Sequence, residues 1–305
     1  MNGPVANLES VTSAILHEIQ GVMGLAGHRW LARLVRSLFG PSARRLAGLL
    51  VRLDYDVARC GLGVAAENLL ARLVQEYRVD CPQAIPQDGP LLVVSNHPGA
   101  YDLLILAASV ARDDLSIISS DIAIFRHLPS IAPHFIPITE DPYRRMAAVR
   151  AALQHLMDGK ALLIFPRGDV EIDPALSPQA VEGIARWSPS LELFLRKAPR
   201  TRVVVATVSG VLSARWFNHP FLRLWEKTEQ RQKVAEIIQV AEQLILSRKP
   251  QLTPLVYFSP PLIFPEAGQT TGPPGRLMQI LIQTAQSQMT VLTANLLGTL
   301  EKGVR

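Results

Sequence analysis

The residues best placed to do chemistry lie in "SNHPGAYD", residues 95–102, directly behind the apolar run "PLLVV". His97 and Asp102 are five apart. On a straight helix five residues rotate about 500°, which leaves two side chains about 140° apart and out of reach. Pro98-Gly99 stands between them, and proline is at home in the first turn of a helix but poorly tolerated later. The spacing therefore predicts a strand, a tight loop bearing His97, and a helix whose start carries Asp102. A carboxylate that accepts from one imidazole nitrogen fixes the tautomer. The other nitrogen is then free to take a proton from a hydroxyl. The pair is a two-residue base without the nucleophile of a triad, and "TVSGV" (207–211) lacks the first glycine of a G-x-S-x-G elbow, which disfavours a serine hydrolase. A plainer reading stands beside this one: Ser95 or Asn96 caps a helix, and Asp102 simply lies in its first turn.

Two other stretches break in the same way. "ALLIF" (161–165) runs into "PRGD" (166–169), and "VVVATV" (203–208) runs into Ser209-Gly210. The ends of sheet strands are where α/β enzymes gather their sites. From residue 78 onward short strand-like runs recur: "YRVDC" at the start, then 91–95, 116–120, 134–138, 161–165, 202–208 and 255–258. Helical patterns lie between them at 143–157 and 228–247, and a last one covers 275–300. This alternation predicts an α/β fold, a central mostly parallel or mixed sheet flanked by helices. Residues 10–78 read instead as an N-terminal helical region, so the chain divides into 1–77 and 78–305. In "HRWLARLVRSLFG", Trp30, Leu31, Leu34, Val35 and Leu38 form an apolar stripe, and Arg29, Arg33 and Arg36 share another face. Gly40-Pro41 is expected to stop that helix. A second follows through Leu46, Leu49, Leu50, Leu53 and Val57, and a third covers about 64–76. "GLGVAA" (61–66) matches the dinucleotide fingerprint G-x-G-x-x-A, but the fingerprint requires a preceding strand and the residues here carry helical spacing.

The 305 residues suffice for one large α/β domain, or one domain with an appendage. Hydrophobic residues make up 48%, yet no uncharged apolar stretch reaches the length of a membrane span. The N-terminus lacks the basic region of a signal peptide, so the expected location is cytoplasmic, peripheral on the inner membrane face. Cys60 and Cys81 have no paired spacing and no histidine cluster, which indicates neither a disulfide framework nor a zinc site, and both are expected to be buried or incidental. The formal net charge is +5, and much of the excess lies in residues 1–53. A basic end suggests an anionic surface as partner. Nucleic acid is disfavoured, because the cations sit on an apolar-striped helix without an aromatic platform. For that helix the expectation is interfacial binding: Trp30, Leu31, Leu34 and Leu38 in the acyl boundary, Arg29, Arg33 and Arg36 against headgroups. The alternative is ordinary packing onto the rest of the chain.

"NHPGAYD" resembles the N-H-x-x-x-x-D block of the glycerolipid acyltransferases, the PlsC-type family. "IFPRGD" is similar to that family's F-P-E-G block, and "VVVATVSG" to its later strand and turn. "VDCPQAIPQDGPLLVVSNH" resembles the usual approach to the first block, so the resemblance covers about residues 78–215. It implies an acyl thioester donor, on coenzyme A or acyl carrier protein, and a lipid hydroxyl as acceptor. His97 would be the base and Asp102 its partner. Asn96, Phe165, Pro166, Arg167 and Gly168 would belong to the substrate site, with backbone N–H groups near 165–168 as oxyanion donors. No metal or redox cofactor is implied. Two departures matter. Arg167 stands where the family has Glu, so it either meets an anionic acceptor or pairs with Glu171 or Asp173. "HFIPITED" lacks the family's phosphate-binding arginine; Arg144 and Arg145 are substitutes, or else, with Arg150, a solvated helix face. A catalytically silent lipid-binding relative and a thioesterase using water are the competing functions.

Overall fold

Short runs of branched apolar residues bounded by turns become strands buried on both faces, and that is what the central sheet is made of. The structure is a computed structural model; it describes residues 5–25, 29–80, 85–99, 101–264 and 275–302, without the side chains of 29, 31 and 293–302. Eight strands are found there: β1 (Arg78–Asp80), β2 (Leu91–Ser95), β3 (Ser116–Ser120), β4 (Phe135–Ile138), β5 (Ala161–Ile164), β6 (Arg202–Ser209), β7 (Leu255–Phe258) and β8 (Leu262–Ile263). Their order is β1-β7-β6-β2-β5-β3-β4, with β8 paired to β6. The run from β6 to β4 is parallel, while β7 and β8 lie antiparallel to β6. The sheet is thus mostly parallel, and β2 lies at its centre between β5 and β6.

The helices are α1 (Leu8–Val22), α2 (Arg29–Leu73), α3 (Asp102–Val110), α4 (Pro142–Met157), α5 (Ala180–Ile184), α6 (Leu191–Lys197), α7 (Ala214–Phe217), α8 (Thr228–Leu246) and α9 (Arg276–Lys302). Strand side chains alternate between faces. Leu91, Val93, Ala161, Leu163, Val204 and Ala206 pack under α1, α2 and α3, with part of α8 against them. Leu92, Val94, Leu162, Ile164, Val203 and Val205 pack on the other side against α4, α5, α6 and α9. The N-terminal helices therefore share a core with one face of the sheet.

One expectation about α2 is corrected. Gly40-Pro41 does not stop it, and the helix runs through Pro41. Buried Val35, Ala43 and Ala47 anchor it on both sides of the proline. Proline removes only the intrahelical bond to the Ser37 carbonyl, a loss that the packing on both sides offsets. The break comes instead at Gly61, whose φ of 79° and ψ of 167° are not helical. A Cβ there would lie 2.1 Å from Asp113 Oδ1, and one at Gly63 would lie 2.9 Å from the Ala111 backbone. The two glycines of "GLGVAA" thus permit close approach of α2 to the end of α3, and helix rather than strand leads into them. Cys60 is exposed rather than buried, and Cys81 lies outside the described residues.

Candidate active site

Because β5, β2 and β6 are neighbours, the three strand ends picked out in the sequence converge at one edge of the sheet. Each is tied to the next. Asn96, at the end of β2, accepts from the Val208 N–H at 2.7 Å and donates to the Val208 carbonyl at 2.8 Å. Behind β5, Glu171 accepts the His97 N–H at 3.0 Å, and its own N–H donates to the His97 carbonyl at 2.7 Å. Asp173 accepts from the N–H groups of Gly210, Val211 and Leu212 behind β6. From α8, Gln232 donates to the carbonyls of Pro98 and Glu171. The loop bearing His97 is therefore fixed from three sides.

The loop turns at Gly99, with φ of 108°. That positive φ favours glycine, and a Cβ there would also meet the Glu236 carboxylate of α8. The Gly99 N–H donates to Asp102 Oδ2 at 2.8 Å, and α3 begins at Asp102. The helix cap is Tyr101, without a side-chain bond, so neither Ser95 nor Asn96 serves as the cap. Asp102 is buried, and its Oδ2 lies 2.7 Å from His97 Nδ1. A carboxylate can only accept, so Nδ1 carries the hydrogen and neutral His97 presents a lone pair at Nε2. The ring stacks on Phe165 with centroids 4.4 Å apart, and the side chain stays 31% exposed.

The charges favour a protonated histidine. Burial pulls the His97 pKa down, but the charge and hydrogen bond of Asp102, helped by Glu236 and Glu171, outweigh it and raise it to about 9. Glu171 is pushed up to about 7 by burial, against the opposing pull of Trp187, the His97 N–H and Arg167.

Beside the loop opens an apolar cavity of 340 Å³ between the sheet and helices α1, α2, α3 and α8. Tyr101 and Glu236 flank both the loop and the cavity; Leu46, Leu69, Leu104 and Leu128 also line it. The buried Tyr101 hydroxyl donates to Gln243 at 2.6 Å.

The other candidate residues divide. Phe165 is in contact with the histidine ring, and the Pro166 carbonyl accepts from the Ser188 N–H. The Gly168 N–H closes the turn onto the Phe165 carbonyl, which removes it as an oxyanion donor. Asn96 is fully buried in its two backbone bonds and is a strand clamp rather than a substrate contact. Arg167 pairs with neither Glu171 nor Asp173; its partner is Glu229 of α8, at 2.8 Å. It borders a polar depression where Arg167, Lys227 and Lys233 are matched by Glu18, Asp169 and Glu229, so the charges balance. Arg144 and Arg145 are exposed at the head of α4, where Arg145 returns to the Thr139 carbonyl. The edge strand β4 that leads into them is three places from β2, about 14 Å across the sheet, and the structure does not bring them to His97. Sequence reasoning missed the holding roles of Glu171 and Gln232 and the flanking Tyr101 and Glu236.

The expected apolar stripe on α2 splits. Val35 enters the core, while Trp30, Leu34 and Leu38 are 67%, 48% and 60% exposed. Arg33 and Arg36 are exposed as well; the side chains of Arg29 and Leu31 lie outside the described residues. Among the described residues no helix is long and apolar enough to cross a membrane.

Residues 76–186, a little over a third of the chain, match the model of the family described as Acyltransferase. The matched segment holds His97, Asp102 and the block behind β5, so the resemblance to the acyltransferases drawn from those blocks is borne out over that segment. Among solved structures, the chain is similar to the 1-acyl-sn-glycerophosphate (LPA) acyltransferase PlsC from Thermotoga maritima. That likeness covers 94% of this chain and 93% of that one, at 13% identity and a TM-score of 0.45. No curated protein matches the sequence.

Proposed function

We propose that the protein moves an acyl chain from a thioester, on coenzyme A or acyl carrier protein, to a hydroxyl of a lipid or glycerolipid. The observation that carries this reading is the His97–Asp102 pair beside an apolar cavity. His97 Nε2 takes the hydroxyl proton as the acceptor oxygen attacks the thioester carbonyl carbon. Asp102 holds the imidazole in the tautomer that permits this and stabilises the cation formed. The carbon–sulfur bond breaks, and the thiolate leaves with the proton that His97 returns. The cavity holds the acyl chain out of water, which places the carboxyl end near the loop. The pairing of Arg167 with Glu229 argues against an arginine waiting for a free anionic acceptor.

The enzyme works at the cytoplasmic membrane face as a peripheral protein. Trp30, Leu34 and Leu38 face solvent in a row, and Arg33 and Arg36 beside them suit anionic headgroups. The test of the reaction is thiol release from an acyl thioester, with lipid products identified by mass spectrometry. Transfer requires release to depend on an added lysolipid or other lipid alcohol. Release without acceptor makes the protein a thioesterase, and no release with any donor makes it a silent binder.

A further inference from the structure

A second site lies away from His97, where two helices end side by side. The C-termini of α2 and α8 border a depression of 450 Å³ whose walls carry Arg45, Arg72, Arg248 and Lys249 and no carboxylate. Two of the four cations have structural work. Arg45 donates to the Leu244 and Ile245 carbonyls at 2.6 and 3.0 Å, and Lys249 to the Ala71 carbonyl at 2.6 Å. They answer the open carbonyls of the two helix ends. Each end carries roughly half a negative charge, about one in all, so four cations leave an excess of about three positive charges. Arg72 and Arg248 make no ion pair among the described residues. The contrast with the balanced depression at Arg167 is direct: one set of cations is matched by acids and this one is not.

The surroundings give the chemistry of the ligand. Leu38 and Arg45 are seven residues apart on α2, and Leu34 and Arg45 eleven apart. Those spacings fall within about 20° of whole turns, so Leu34, Leu38 and Arg45 share one face of the helix. The exposed apolar row thus leads along α2 into the cationic depression. On the other side, exposed Ile245 and Leu246 of α8 adjoin it. Behind it, Leu73 and Leu244 belong to its wall and to the wall of the apolar cavity alike. A cationic hollow rimmed by exposed apolar side chains matches an anionic headgroup at the level of a bilayer surface.

We infer that this depression binds the phosphate of an anionic membrane phospholipid, with Ile245 and Leu246 in the acyl boundary. It extends the interfacial role given to the start of α2, and the two are separable by experiment. Binding is measured to vesicles of phosphatidylcholine and to vesicles of equal parts phosphatidylcholine and phosphatidylglycerol. Arg72→Gln with Arg248→Gln leaves the helix-end contacts of Arg45 and Lys249 in place. Two surface cations contribute together about a thirty-fold gain on anionic membranes, so the double variant loses about that much on the mixed vesicles and little on the neutral ones. A control of equal charge change, Arg150→Gln with Lys197→Gln on the opposite side of the sheet, loses far less. Alanine at Trp30, Leu34 and Leu38 weakens binding to both kinds of vesicle, which marks the other element. Equal losses in the double variant and the control overturn the site. Stabilisation of the wild type by inorganic phosphate, abolished in the double variant, overturns the lipid as its ligand. Neither readout involves acyl transfer.

Discussion

The charges around His97 make the pH dependence of the reaction steep in a range where an ordinary histidine is flat. With its pKa raised to about 9, about 1% of His97 is neutral at pH 7 and about half at pH 9. The free enzyme's kcat/KM then rises about fifty-fold between those values, because only the neutral ring takes a proton from the acceptor. A histidine at 6.5 gives a rise of less than about 1.5-fold over the same window. The groups facing the ring are Asp102 of α3, Glu236 of α8 and Glu171 behind β5, with Arg167 beside the last. Glu171, at about 7, titrates near the foot of this range and does not set its midpoint. Stability moves the opposite way. A pKa raised on folding gives a contribution complete below about 6.5 and lost as the pH climbs through about 9. The assay is initial-rate thioester consumption at subsaturating donor from pH 6 to 10, corrected for spontaneous hydrolysis, with circular dichroism confirming the fold at each pH. A profile flat from pH 7 to 9 refutes the assignment of His97 as a base held protonated by its acids.

Glu171→Gln shifts the midpoint of that profile downward, because it removes a negative charge near the ring; a purely structural lesion lowers rates without moving the midpoint. Asn96→Ala leaves the Val208 N–H and carbonyl buried and unpaired, at a cost on the order of 3 kcal/mol in urea unfolding. Leu104→Phe narrows the cavity, so the preferred acyl chain becomes shorter in a competition between thioesters of graded length, with overpacking costing about 1–3 kcal/mol.

What the sequence disclosed follows from which forces act locally. Parallel strands buried on both faces read as apolar runs, so the three strand ends were visible, and the Pro98-Gly99 turn between His97 and Asp102 required the loop the structure shows. β8 escaped because two residues, Leu262 and Ile263, carry no period. Pro41 misled because a local preference yielded to packing at Val35, Ala43 and Ala47. The partner of Arg167 lies 62 residues away on α8, beyond any local rule, and a closer acid looked equally suitable. Asn96 belongs to a motif whose wording suggests substrate, yet its two bonds tie β2 to β6. Neither the cavity nor the cationic depression was legible, since helices far apart in the chain supply their walls.

The central claim is that His97, oriented by Asp102, carries a proton from a lipid hydroxyl during acyl transfer. It is tested most directly by single-turnover acyl transfer to a lysolipid in wild type and in His97→Ala, with thermal unfolding of both. The expected result is a rate lower by about 100- to 10,000-fold with the fold retained. Acyl transfer by His97→Ala at the wild-type rate contradicts the account.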